Sequence, residues 1–184
     1  MGGGDKAFML LAGRPLLEHV VERLGDQVVA WVVVSSGEVE GFRSRGLRVL
    51  QDERPGRQGP LAGVEAALKH CATPWLLTVA VDLPFLPRNL VAMLLAAATD
   101  GVPVVATDAE GRAHPVVALW PVGLLPQLSQ ALDAGERSLN LFLERVPHQR
   151  CLFPAAPDGQ ADPFFNINTP EDRVLAESLV LAER

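Results

Sequence analysis

The seven residues Val28 to Val34 are apolar without a break and rich in β-branched side chains, and they end abruptly in Ser35-Ser36-Gly37. A strand with no polar alternation has no solvent face. The run therefore predicts a strand buried on both sides, the setting of a mainly parallel sheet covered by helices. Elsewhere the pattern agrees. Leu16, Leu17, Val20, Val21 and Leu24 recur at helical spacing behind Pro15, and Gly25 closes the segment. Leu47 to Leu50 reads as a short strand, Leu61 to His70 as a helix and Trp75 to Val81 as a second buried strand. Leu90 to Ala98 reads as a helix. Strands at Val102 to Thr107 and Val116 to Trp120 flank the turn Asp108 to Gly111. Helices at Leu124 to Leu132, at Ser138 to Arg145 and from Pro170 onward, with a strand at Gln149 to Phe153, complete an α/β alternation with mostly short connections.

The chain has 184 residues, the length of one domain, and no linker or repeat divides it. A formal net charge of −6 argues against a general binder of nucleic acid or of an anionic membrane. No apolar run reaches the roughly 18 residues of a membrane span, and the start lacks the basic-then-apolar pattern of a signal peptide. Cys71 and Cys151 are too few for a disulfide framework or a zinc site, so two reduced thiols in a cytoplasmic protein are expected.

Against that background, Gly2-Gly3-Gly4-Asp5-Lys6 stands out. Glycines let backbone N–H groups close around an anion, and a lysine adds a mobile point charge. Lys6 and Lys69 are the only lysines beside 14 arginines. A compact ammonium reaches between phosphate oxygens where a planar guanidinium does not fit. Asp82 is the first charged residue after a buried strand, and Pro84 turns the chain away. Ligands of open parallel sheets bind beyond the carboxyl ends of the strands, where such a carboxylate can hold Mg²⁺ or simply cap a turn.

The other candidates are weaker alone. Asp52 follows the strand at Leu47 to Leu50 and could accept from a ribose or a base, or be a solvated loop carboxylate. Arg54 and Arg57 flank it, as phosphate-closing groups or as surface charge. His114-Pro115 opens a strand, and a lone His there marks neither a base nor a ligand. Arg137 precedes the N-cap candidate Ser138 and suits an anion or plain solvent. Asn166 and Asn168 share a face of an extended segment, next to what also looks like an ordinary helix start. There is no G-x-x-x-x-G-K-[ST] and no G-x-S-x-G.

Taken in order, Met1 to Ala7, Leu11-Ala12-Gly13-Arg14-Pro15-Leu16-Leu17 with His19-Val20, Gly59-Pro60-Leu61-Ala62-Gly63, Asp82-Leu83-Pro84, His114 to Leu119, Ala134-Gly135-Glu136-Arg137 and Phe165 to Glu171 resemble the molybdenum cofactor guanylyltransferase family over nearly the whole chain. The first and third elements are shared with related nucleotidyltransferases; the last three narrow the choice.

The resemblance implies a Rossmann-like nucleotidyltransferase fold spanning residues 1–184. The implied reaction transfers GMP from GTP to molybdopterin with Mg²⁺ and releases pyrophosphate. By family position, Lys6 contacts the GTP phosphates, Asp52 the nucleotide, and Asp82 both nucleotide and Mg²⁺. Ser35 stands where the family has a nucleotide-contacting asparagine, keeping an oxygen but losing the paired amide donors. Arg137, Asn166 and Asn168 fall near the second substrate and metal. The resemblance also implies a strand and a Leu-Ala-Gly-Gly stretch ahead of Met1, a monomer, and contacts with other molybdenum cofactor biosynthesis proteins. The alternatives are a molybdopterin cytidylyltransferase, another small nucleotidyltransferase, or a non-catalytic nucleotide-binding scaffold.

Overall fold

A computed structural model describes residues 6–35, 37, 39–51, 54, 59–99 and 101–182. Strands β1 (Leu10–Leu11) and β2 (Arg14–Pro15) form a small hairpin. Its two-residue turn places Ala12 at φ 48° and Gly13 at φ 82°, the paired positive angles of a tight hairpin turn. Helix α1 (Leu16–Leu24) follows, with Leu16, Leu17, Val20 and Leu24 buried. It stops where Gly25, at φ 45°, donates its N–H to the Val21 carbonyl. Strands β3 (Val32–Val34) and β4 (Arg48–Leu50) pair in parallel around a four-residue helix, α2 (Glu40–Arg43).

The main sheet contains β5 (Trp75–Thr78), β6 (Val104–Thr107), β7 (Ala113–Pro121) and β8 (Gln149–Leu152), in the order β5-β7-β6-β8. Strand β6 is parallel to β8, and β7 runs against both of its neighbours, β5 and β6. The fold is α/β as expected, and its sheet is mixed. Strands β5, β6 and β8 share one direction, and β7 is reversed because the turn after β6 closes a hairpin.

Side chains on β6 and β7 alternate between two cores. Val105, Ala118 and Trp120 pack with α3 (Gly59–Lys69), α5 (Leu125–Asp133) and α6 (Leu139–Arg145). Val104, Ala106, Val117 and Leu119 pack with α1 and α4 (Leu90–Ala96). Period-two alternation with both faces covered makes three layers, helices on either side of the sheet. Trp120 is fully buried, and its Nε1 donates to Thr78 Oγ1 at 2.9 Å, so the indole loses no hydrogen bond. The last helix, α7 (Pro170–Ala182), places Ala176 against Leu11, Leu16, Phe85 and Ile167.

The expectation for Val28 to Val34 needs correcting. Only Val32–Val34 form a ladder, Val29 is 87% exposed and Val34 37%. Among the described residues the ladder of β3 runs along β4 only, and Val28 to Trp31 join no ladder, so the run is not one continuous strand buried on both faces. Both cysteines are free, and burial pushes the Cys151 thiol above its ordinary range.

Arg54 is a second correction, being neither a phosphate group nor plain surface charge. Its guanidinium donates through Nε and Nη2 to both oxygens of Glu65, at 2.8 and 2.7 Å, and through Nη1 to Asp133 at 2.7 Å. Glu65 lies on α3 and is 2% exposed; Ser129 Oγ also donates to it, and Lys69 lies 3.4 Å away. The Arg54 hydrogen bonds outweigh desolvation and hold the Glu65 carboxyl at about 2. A carboxyl depressed in the folded state stabilises above its unfolded range and loses that contribution as pH falls through the folded value. Glu65→Gln should cost about 2 kcal/mol near neutrality. In urea denaturation the gap between wild type and variant should close between pH 5 and pH 2; a constant gap would count against the ion pair as its source.

Candidate active site

Strand β5 delivers Asp82. The chain continues through Val79, Ala80 and Val81 to the carboxylate, and buried Leu83, Phe85 and Leu86 then anchor the turn. Lys6 opens a short 3-10 turn, Lys6–Phe8, pinned by the fully buried Ala7. From there Lys6 Nζ donates to Asp82 Oδ2 at 2.8 Å and to Asn168 Oδ1 at 2.7 Å. The segment before α7 brings in the third partner. Ile167 is buried, and its N–H donates to the Asp82 carbonyl at 3.1 Å, which turns Asn168 outward beside Lys6.

Asn168 is also fixed from behind. Its N–H and that of Thr169 donate to Asp172 Oδ2, at 2.9 and 2.8 Å, and the Asp172 N–H donates to Thr169 Oγ1. This reciprocal arrangement caps α7. The Asn168 and Thr169 N–H groups, with help from Lys6, hold the Asp172 carboxyl below its usual range.

The Lys6–Asp82 pair is partly open to solvent, with side-chain exposures of 34% and 15%. Pairs of this kind contribute roughly 0–1 kcal/mol to stability. Its effect is geometric: two oxygens from distant parts of the chain converge on one cation. Oxygen donors that hold an ammonium suit a hard divalent ion equally well.

The remaining predicted residues are spread around this point. Ser35 follows β3; its N–H extends the ladder to the Leu50 carbonyl, and its Oγ accepts from the Gly37 N–H at 3.2 Å. Asn166 is exposed on the same face as Asn168, on either side of buried Ile167. Arg137 lies against the start of α3, where its carbonyl is 2.9 Å from the position of a Cβ on Gly59. Its Nη1 donates to the carbonyls of Leu132 and Glu136, at 2.7 and 2.8 Å. Hydrogen bonds from the Ser138 and Arg137 N–H groups hold the Glu136 carboxyl below its usual range and fix this corner. Asp52, Arg57 and the run Met1 to Asp5 lie outside the described residues.

Sequence reasoning missed one cluster at the same end of the sheet. His114 Nε2 donates to Asp108 Oδ2 at 3.0 Å across the β6–β7 hairpin, and the imidazole stacks on Phe164 with centroids 4.3 Å apart. Desolvation raises the Asp108 carboxyl, but the His114 hydrogen bond and the Arg112 N–H together bring it below its ordinary range. The His-Pro element was visible in the sequence. Its partner was not, because it depends on the register of the hairpin.

Comparison with known proteins decides the family. A sequence model of the MobA-like NTP transferase domain matches residues 1–149. The chain belongs to this family of nucleotidyltransferases. It is 43% identical, over 190 aligned positions, to the molybdenum cofactor guanylyltransferase of Rhodopseudomonas palustris strain HaA2, covering all of this chain and 87% of that one. The Cereibacter sphaeroides enzyme of the same name is 44% identical over 98% of this chain and 90% of its own length. Among solved structures, the molybdopterin-guanine dinucleotide biosynthesis protein A of Archaeoglobus fulgidus superposes with a TM-score of 0.75 at 26% identity, covering 99% of this chain and 93% of that one. The 2-C-methyl-D-erythritol 4-phosphate cytidylyltransferase of Thermus thermophilus shares the fold, with a TM-score of 0.71 at 24% identity, over 96% and 94% of the two chains. Among the described residues of this MobA-like chain, no helix is long and apolar enough to cross a membrane.

Lys6→Ala should lower the kcat/KM of nucleotidyl transfer by about two orders of magnitude, the range found when one preorganised electrostatic contact is removed. The urea midpoint should move little, since the pair is open to solvent. A normal rate with a large loss of stability would reverse that assignment.

Proposed function

We propose that this protein transfers the GMP unit of GTP to molybdopterin, forming molybdopterin guanine dinucleotide and releasing pyrophosphate. One observation carries the reading: the convergence of Asp82 and Asn168 on Lys6 at the end of β5, in a chain of the MobA-like family. The names of relatives above 40% identity support guanylyl rather than cytidylyl transfer.

The reaction joins two anions. A phosphate oxygen of molybdopterin forms a bond to the α-phosphorus of GTP. The bond from that phosphorus to the bridging oxygen breaks, and pyrophosphate leaves with the electron pair. No side-chain nucleophile is needed; the barrier is positional and electrostatic. Lys6 places its charge where the leaving pyrophosphate gains negative charge. Asn166 and Asn168, on one exposed face, present amide groups to the second substrate, and Arg137 lies at the start of α3 to meet its anionic end. Ser35, at the end of β3, and Asp52 meet the nucleotide.

Asp82 and the Asn168 amide oxygen fit Mg²⁺, since both are hard oxygen donors already gathered around a cation. Mg²⁺ is commonly held by one or two carboxylates together with substrate phosphates. When bound, Mg²⁺ neutralises phosphate charge and orients the phosphates. We read residues 1–184 as one domain acting in the cytoplasm.

Asp82→Asn should reduce Mg²⁺-dependent transfer by at least about a hundredfold and leave the circular dichroism spectrum unchanged. An unaltered rate would remove Asp82 from the site. In calorimetry with Mg²⁺, GTP should bind more tightly than CTP. Equal or reversed affinity would favour a cytidylyltransferase, and GTP binding without pyrophosphate release would favour a non-catalytic nucleotide-binding scaffold.

A further inference from the structure

Three groups meet at the end of β5, and they differ in how firmly each is held. Asp82 Oδ2 and Asn168 Oδ1 accept from Lys6 Nζ at 2.8 and 2.7 Å. Both acceptors are fixed by buried structure. Leu83 and Leu86 anchor the turn that carries Asp82. Asn168 follows buried Ile167, and its N–H and that of Thr169 are tied to Asp172 Oδ2. Lys6 is placed differently. Its ammonium rides on a flexible four-carbon stem with a side-chain exposure of 34%. The oxygen clamp is rigid, and the cation inside it is free to leave.

The same two oxygens are the donors that suit Mg²⁺. A divalent ion and an ammonium cannot share them, because the charges repel at contact distance and each needs the same lone pairs. Against the protein alone the divalent ion is at a disadvantage. It dehydrates reluctantly, and in exchange it gains one carboxylate and one amide oxygen that already serve Lys6. A triphosphate changes the balance. It brings several negative charges within reach of the lysine stem and supplies further oxygens for the ion. Lys6 then has a stronger partner than Asp82, and the carboxylate becomes open to a second cation.

We propose that Lys6 is a placeholder that keeps a divalent cation off Asp82 until a nucleoside triphosphate draws the lysine away, so that metal and nucleotide bind as a coupled pair. The inference rests on the proposed function for Asp82 as the metal carboxylate and for GTP as the nucleotide. Lys6 thereby serves two anions in turn, first the Asp82 carboxylate and then the phosphates. The coupling is reciprocal: a nucleotide that opens Asp82 to the ion is itself bound more tightly once the ion is there. A plain surface ion pair has no such consequence. Water competes for its partners, and removing the lysine leaves metal affinity as it was.

The test reads metal binding and the lysine itself, not turnover. Mn²⁺ is titrated into nucleotide-free protein, with the free ion followed by electron paramagnetic resonance. Lys6→Met keeps the length of the stem and removes the charge. It should bind Mn²⁺ at least about tenfold more tightly than wild type, the scale of one charge-assisted hydrogen bond. The double variant Lys6→Met with Asp82→Asn should lose that gain. Because Lys6 and Lys69 are the only lysines, protein labelled with ¹³C-lysine gives two sets of Hε–Cε resonances, and Lys6→Met assigns them. The Lys6 set should stay in place when Mg²⁺ is added alone and should move when GTP is added without metal. Equal Mn²⁺ affinity in wild type and Lys6→Met, or a gain that survives Asp82→Asn, would overturn the proposal. So would a Lys6 resonance that Mg²⁺ alone displaces, or one that stays in place while calorimetry shows GTP bound. Metal exclusion with these signatures in a protein that binds GTP and never releases pyrophosphate in the presence of molybdopterin would sink the guanylyltransferase reading and leave the placeholder standing.

Discussion

A single ammonium group organises the working end of this molecule. Lys6 lies 76 residues from Asp82 and 162 from Asn168, yet its Nζ is within 2.8 Å of an oxygen from each. Separate structural elements had to be finished before those oxygens could meet: β5 with its anchored turn, the extended segment around Ile167, and the cap of α7. The ion pair does not hold the fold together, being too open to solvent. The fold instead is arranged so that a cation has one place to be. Hydrophobic packing does the holding, through Ala7, Leu83 and Ile167, each buried next to a polar group that it aims.

Most of the architecture was legible because local signals agreed with one another. Proline and glycine bracket α1, Thr169 stands just ahead of the proline that opens α7, and the Ser138 hydroxyl accepts from the Leu141 N–H where α6 begins. Alternation on β6 and β7 is hidden in the sequence, since both faces are apolar. The order of strands, including the reversal of β7, became readable only through pairing. The apolar run at Val28 to Val34 misled because apolar character reports what a segment tolerates, whereas cover depends on what packs against it.

The site divided in a similar way. Lys6, Asp82 and Asn168 could be named because each sits at a position where local chemistry is unusual: a lysine among arginines, a carboxylate after an apolar strand, an asparagine before a helix-starting proline. Arg54 could not be read, because its partners Glu65 and Asp133 lie on two different helices. The His114–Asp108 couple was hidden for the opposite reason. Its members are only six residues apart, but the turn between them had to fold back before they could touch.

The reversed direction of β7 separates two kinds of change. The register of β7 is fixed by pairing with β5 between Trp75 and Thr78, well below the hairpin turn. Insertions or deletions within residues 109–111 are therefore absorbed at the tip, where the chain is exposed, without sliding the strand past Asp82. The hairpin tip can change in length while Lys6, Asp82 and Asn168 stay where they are. Tip and centre are carried by the same sheet, yet they are free to vary independently.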